Sequence, residues 1–144
     1  MKPFDELLRD DIARYEGRHD DLILQAPALY RLLCCLLDDP RLPRRLRPLV
    51  STVVAYFILP ADVMPESTQG PYGYVDDIWL TAWALDTVRR STGNDDLLLE
   101  SWDGEAPLLP LIADILARET ELVGGNAGRI LAYTGTDLLA QDRT

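Results

Sequence analysis

The sequence predicts an all-α fold, a single compact bundle of about six or seven helices around a central helical hairpin. Apolar residues recur three and four positions apart, the spacing that places them on one face of a helix. No segment alternates apolar and polar residues as a half-buried strand would. Prolines, glycines and acidic residues stand at the positions where these apolar periods stop and start.

Two helices are predicted before the hairpin. The first runs from Pro3 to Glu16. The second begins at Asp20 or Asp21, either of which can cap it, and runs to about Leu37. We expect Pro27 to kink or split this second helix, because proline lacks a backbone donor.

The hairpin consists of a first arm from Pro43 to Leu59, a turn from Pro60 to Gly73, and a second arm from Tyr74 to Arg90. Each arm has one apolar face: Leu46, Leu49, Val50, Val53, Val54 and Phe57 in the first, and Val75, Ile78, Ala82, Leu85 and Val88 in the second. The second arm has so little polar surface that we expect neighbouring elements to cover it on most sides.

Three further helices are predicted after a stop at Gly93. They are a short one from Asn94 or Asp95 to Trp102, a long amphipathic one from Ala106 to Val123, and a last one from Gly124-Gly125-Asn126 to about Leu139.

Length and composition indicate one ordered domain, residues 1–144, with a substantial core. The chain has 144 residues, of which 47% are hydrophobic. Its net charge of -10 argues against nucleic-acid binding, which requires clustered Lys and Arg.

The cysteines and the apolar runs indicate a cytoplasmic protein. Cys34 and Cys35 are adjacent in a helical run and cannot easily form a disulfide with each other. The longest apolar run, Leu49 to Leu59, is shorter than the roughly 20 residues of a membrane span. A peripheral position at the inner membrane surface is the alternative location.

The turn and the start of the second arm contain acids, prolines and glycine at fixed spacings. The motif reads Pro-x-Asp-x-x-Pro, then Gly-Tyr-x-Asp-Asp, at Pro60, Asp62, Pro65, Gly73, Tyr74, Asp76 and Asp77. This motif resembles that of the YkvA-like family, small bacterial proteins defined by a domain of unknown function. The resemblance covers about residues 29–85. It implies a fold but no activity. Glu66 stands where the family usually has Asp, and residues 67–72 are more polar than the family's loop.

The acidic turn is the first candidate site. The hairpin brings the carboxylates of Asp62, Glu66, Asp76 and Asp77 to one end, where they could bind Mg²⁺, Mn²⁺ or Ca²⁺ through oxygen. The alternative is structural: acids in the first turn of a helix satisfy free N–H groups and complement the dipole. We favour the structural interpretation, under which no cofactor is needed.

The second candidate is an arginine cluster before the first arm, formed by Arg41, Arg44, Arg45 and Arg47. The helix dipole disfavours cations at the N-terminal end of a helix, where these arginines lie. It also disfavours anions at the C-terminal end, where Asp38 and Asp39 close the preceding helix. The simplest interpretation is that these charges pair across Pro40. The alternative is contact with an anion, such as acidic lipid or a phosphorylated partner.

These observations predict a non-enzymatic helical module that binds a protein partner or a membrane surface. The competing hypothesis is a divalent-metal-dependent enzyme using Asp62, Glu66, Asp76 and Asp77. The sequence shows no recognisable base or nucleophile outside these carboxylates.

Overall fold

A computed structural model describes residues 20–58 and 74–135. These residues form helices and connecting turns without a strand, which confirms the predicted all-α class. Three predictions lie outside the described residues: the helix from Pro3 to Glu16, the structure of the turn from Pro60 to Gly73, and the chain beyond Gly135.

Pro27 splits the second predicted helix in two. Helix α1 is Asp20–Ile23 and helix α2 is Ala26–Asp38, with Pro27 in the first turn of α2. Proline is well placed there because the first N–H groups of a helix have no intrahelical acceptor. The N–H of Gln25 bonds to the carbonyl of Leu22 and closes a turn between the two helices.

The hairpin arms form as predicted. A 3-10 turn, Arg44–Leu46, leads into helix α3, Arg47–Ile58. Helix α4 is Tyr74–Thr92, and the chain leaves it at Gly93, whose φ of +64° favours glycine.

Helix α4 is the centre of the bundle. Every residue from 75 to 82 is buried, so two turns of the helix are enclosed on all sides. Its neighbours are α1, α2, α3 and the helices α6, α7 and α8 that follow. The expectation that neighbouring elements cover the second arm is confirmed.

The remaining elements are shorter than predicted. Helix α5 is Asp96–Leu99, α6 is Leu108–Ala117, and α7 is Glu119–Val123. A 3-10 turn, Gly124–Asn126, precedes α8, Ala127–Thr134. Eight α-helices thus lie in residues 20–58 and 74–135, three of them only four or five residues long.

The prediction of one helix from Ala106 to Val123 was wrong. Pro107 is extended, so α6 starts after it, and at Arg118 the backbone leaves the helical region with φ -97° and ψ 20°. At this break the Arg118 guanidinium donates to Asp114 and Glu121 on either side of it and to Asp21 in α1.

Two predicted helix ends were also wrong. The short helix ends at Leu99 rather than Trp102, whose indole N–H instead donates to the carbonyl of Ala106 at 2.8 Å. The last helix ends at Thr134 rather than about Leu139, because Gly135 adopts a left-handed conformation with φ +75°.

Candidate functional site

Asp76 and Asp77 lie in the first turn of the central helix α4, and both are fully buried, with 0% of their surface exposed. Asp is among the residues least often fully buried, unless it is paired. The start of a helix favours negative charge because the N–H groups of its first turn have no acceptor within the helix and point along the axis toward its N-terminus. The position therefore explains in part how the core tolerates two adjacent carboxyl groups.

Both side-chain oxygens of Asp76 accept hydrogen bonds from the protein. The hydroxyl of Tyr56 in α3 donates to Oδ2 at 3.0 Å, and the backbone N–H of Asp77 donates to Oδ1 at 3.1 Å. Tyr56 is itself 3% exposed. The Tyr56–Asp76 bond thus joins the end of α3 to the start of α4 inside the core.

Two further polar groups of α4 lie in the core near this pair. The hydroxyl of Thr81 donates to the carbonyl of Asp77 at 2.8 Å, along the same helix. The indole nitrogen of Trp79 is buried and has no hydrogen-bond acceptor in the described part of the chain. A buried donor without an acceptor lowers stability, by about 1–3 kcal/mol.

The four-carboxylate metal site stays a prediction. Asp62 and Glu66 lie outside the described residues, so the structure places only two of its four members. Among residues 20–58 and 74–135, no three His, Cys, Asp or Glu side chains are grouped so as to hold a metal ion.

The structure places Arg41 of the arginine cluster in a pair with Asp39 across Pro40. Its guanidinium donates to both carboxylate oxygens of Asp39, at 3.2 and 2.9 Å, and its backbone N–H donates to Oδ1 at 2.9 Å. These hydrogen bonds hold the pKa of Asp39 below its usual value of 3.8. Arg41 also pairs with Glu100, at 2.9 Å. The predicted pairing across the turn is present for Asp39.

Arg47 and Arg45 cap the C-terminal ends of helices other than their own. Arg47 donates to the carbonyls of Leu37 and Asp39 at the end of α2, at 2.7 and 3.2 Å. Arg45 donates to the carbonyl of Ser91 in the last turn of α4, at 3.4 Å. A cation at a helix C-terminus interacts favourably with the helix dipole. Only Arg44 of this cluster is exposed and without a polar partner in the described segments.

Two features of this site were not predicted from the sequence. Tyr56 was not placed on the inward face, although it lies three positions after Val53 and seven after Leu49. That helical spacing was a usable signal. The contacts of the arginines with neighbouring helix ends have no signal in the sequence.

Comparison with known proteins agrees with the resemblance to the YkvA-like family. Residues 47–83 match the family model described as "Protein of unknown function (DUF1232)". This match confirms the resemblance over that segment, because the YkvA-like family contains this domain. The matched segment begins with α3 and ends in the middle of α4.

The similarity to one curated protein extends further along the chain. "Uncharacterized protein ORF9" of Methanothermobacter thermautotrophicus is 28% identical over 133 residues, which cover 92% of this chain and 90% of that protein. The flanking helices are therefore included in this similarity. No solved structure matches the chain.

Proposed function

We propose that this protein is a small helical module that binds a protein partner and performs no chemistry of its own. The observation that carries the proposal is the burial of Asp76 and its bond to Tyr56. A general base must come within hydrogen-bond reach of its substrate. A carboxyl group enclosed in the core and bonded on both oxygens is suited to holding α3 against α4.

The charges of the described surface support a protein partner over an anionic membrane. A basic segment gains about 1 kcal/mol for each Lys or Arg that it brings to such a membrane. Arg41 is already paired with acids, Arg45 and Arg47 bind helix carbonyls, and the chain carries a net charge of -10. Within residues 20–58 and 74–135, none of the helices combines the length and apolar composition needed to cross a bilayer.

A metal titration tests the proposal against the metal-dependent enzyme. A ligand that binds only the folded state raises the free energy of unfolding by about 2.7 kcal/mol at a hundredfold excess over Kd. We expect millimolar Mg²⁺ or Mn²⁺ to leave the Tm of the wild-type protein unchanged.

The control is Asp76→Asn, which keeps the shape of the side chain and removes its charge. A saturable rise in Tm that is lost in this variant would contradict the proposal. Asp62, Glu66, Asp76 and Asp77 would then be treated as ligands of a catalytic metal.

A vesicle experiment tests the membrane alternative. We expect no co-sedimentation with vesicles that contain phosphatidylserine. Salt-sensitive binding that Arg44→Glu abolishes would assign the arginine cluster to an acidic lipid surface instead.

A further inference from the structure

The turn between α5 and α6 contains the single Asp-Gly sequence of the chain, Asp103–Gly104. Asp followed by Gly rearranges to isoaspartate more readily than other Asp pairs, because glycine has no side chain to shield its backbone nitrogen. Solvent reaches this pair, since 58% of the Asp103 side chain is exposed. The chain therefore carries a chemically reactive pair on its surface.

The rearrangement needs only water. The backbone nitrogen of Gly104 attacks the protonated carboxyl group of Asp103, so a C–N bond forms and a C–O bond breaks. The leaving oxygen departs as water, with one hydrogen from the carboxyl group and one from the Gly104 N–H. A second water opens the resulting succinimide ring by breaking the bond between the backbone carbonyl carbon of Asp103 and the Gly104 nitrogen. The chain then runs through the Asp103 side chain and has one extra carbon in its backbone.

Arg31 of α2 binds the carboxylate of Asp103 through two parallel hydrogen bonds. Its Nε donates to Oδ2 and its Nη2 donates to Oδ1, both at 3.1 Å. A bidentate pair of this kind restricts the orientation of the carboxylate as well as attracting its charge. The attack by Gly104 requires a protonated carboxyl group that is free to rotate, whereas Arg31 binds the ionised group by both oxygens.

The packing of Trp102 explains why glycine stands at position 104. The indole N–H of Trp102 donates to the carbonyl of Ala106 at 2.8 Å, which fixes the ring within the turn. A Cβ on Gly104 would overlap that ring. The fold thus requires glycine after Asp103, and the reactive pair follows from this requirement.

We propose that Asp103–Gly104 is an isoaspartate-forming site and that Arg31 keeps it unreacted in the folded protein. The site lies in a turn that the proposed function does not use, so the two proposals stand or fall separately. Rearrangement would lengthen the backbone inside the loop that the Trp102–Ala106 bond closes.

The test compares the rate of isoaspartate formation in the wild-type protein and in Arg31→Met during incubation in neutral buffer at physiological temperature. Digestion followed by mass spectrometry with electron-transfer fragmentation distinguishes isoaspartate from aspartate at position 103. We expect Arg31→Met to react about threefold faster, an effect in the range of an exposed ion pair.

Arg89→Met is the matched control. Arg89 is exposed to a similar degree, 31% against 34% for Arg31, and it pairs with Asp86 and Asp95, neither of which precedes glycine. We expect this variant to form isoaspartate at Asp103 at the wild-type rate. Circular dichroism and urea denaturation check that both variants fold.

A peptide of residues 98–108 supplies the rate without the fold. We expect it to react at least about tenfold faster than the wild-type protein, because the reaction in the protein requires local opening of the turn. Equal rates in wild type and Arg31→Met would overturn the role of Arg31, and equal acceleration by Arg89→Met would assign the effect to a general loss of stability. A wild-type rate equal to that of the peptide would show that the fold protects nothing.

Discussion

Among single residues, Tyr56 is the one whose hydrogen bond accounts for the burial of Asp76. It satisfies a carboxyl group that the fold buries completely, and it does so from the opposite arm of the hairpin. Removing one partner of a buried hydrogen bond leaves the other desolvated, and this cost exceeds the net stabilisation by the bond.

Tyr56→Phe should therefore lower the free energy of unfolding by about 1–3 kcal/mol in urea denaturation. The same measurement on Asp76→Ala and on the double variant completes a double-mutant cycle. We expect a coupling energy of at least about 0.5 kcal/mol between the two side chains. Additive effects of the two substitutions would show that the bond contributes nothing to stability.

Asp39 gives a pH-dependent prediction. The side-chain hydrogen bonds from Arg41, and next its backbone N–H, lower the pKa of Asp39 in the folded protein. Because its pKa is lowered, Asp39 stabilises the folded protein when the pH is above the pKa of an Asp in the unfolded chain, about 3.9. This stabilisation is lost as the pH falls through the pKa of Asp39 in the folded protein.

We expect Asp39→Asn to be less stable than wild type at neutral pH, and the difference to shrink as pH falls below about 4. Asp38→Asn is the matched control, since Asp38 is exposed and makes no polar side-chain contact in the described segments. A difference between Asp39→Asn and wild type that is constant with pH would rule out this account.

At the scale of elements, arginines from one helix stabilise the ends of others. The last carbonyls of a helix lack intrahelical donors. Arg47 supplies donors to the end of α2, and Arg45 supplies one to the end of α4. The residues that looked misplaced at the start of α3 are thus well placed relative to its neighbours.

Arg47→Met should lower the free energy of unfolding by about 1–2 kcal/mol, since it keeps the apolar stem and removes the donors. The control is Arg44→Met, which makes the same substitution three positions away, where no partner is lost. This variant should change the free energy of unfolding by less than about 0.5 kcal/mol. Equal urea midpoints for the two variants would contradict the capping role of Arg47.

At the scale of the whole molecule, α4 is the element on which the others pack. Its buried positions contact helices from both sides of the hairpin, including α2 and α6. Opening α4 to water therefore requires separating most of the bundle, whereas α5 is a single turn with two buried residues, Leu97 and Leu98, and two exposed ones. Stability should be distributed unevenly in the same way.

Native-state hydrogen exchange measures this distribution. We expect the amides of Leu80, Ala82 and Ala84 to exchange only through global unfolding, with a free energy equal to that from urea denaturation. The amides of α5 should exchange with a clearly lower free energy. Exchange of the α4 amides well below the global value would show that the central helix opens on its own.

Features of the fold that depend on the local backbone could be predicted from the sequence, whereas features that depend on distant contacts could not. The split at Pro27 and the stop at Gly93 were predictable because proline and glycine act on their own backbone. The break at Arg118 was not predicted, because the apolar period continues through it and neither proline nor glycine marks it.

Periodicity and helix-stopping residues act over one or two turns of chain, and they were enough to predict the helical class, the two arms of the hairpin and the burial of α4. Which side chains meet across the bundle became visible only in the folded protein. Tyr56 and Asp76 are 20 positions apart, and Arg118 and Asp21 are 97 apart. Such pairs depend on how the helices pack, and helix packing reflects the whole chain rather than any single segment.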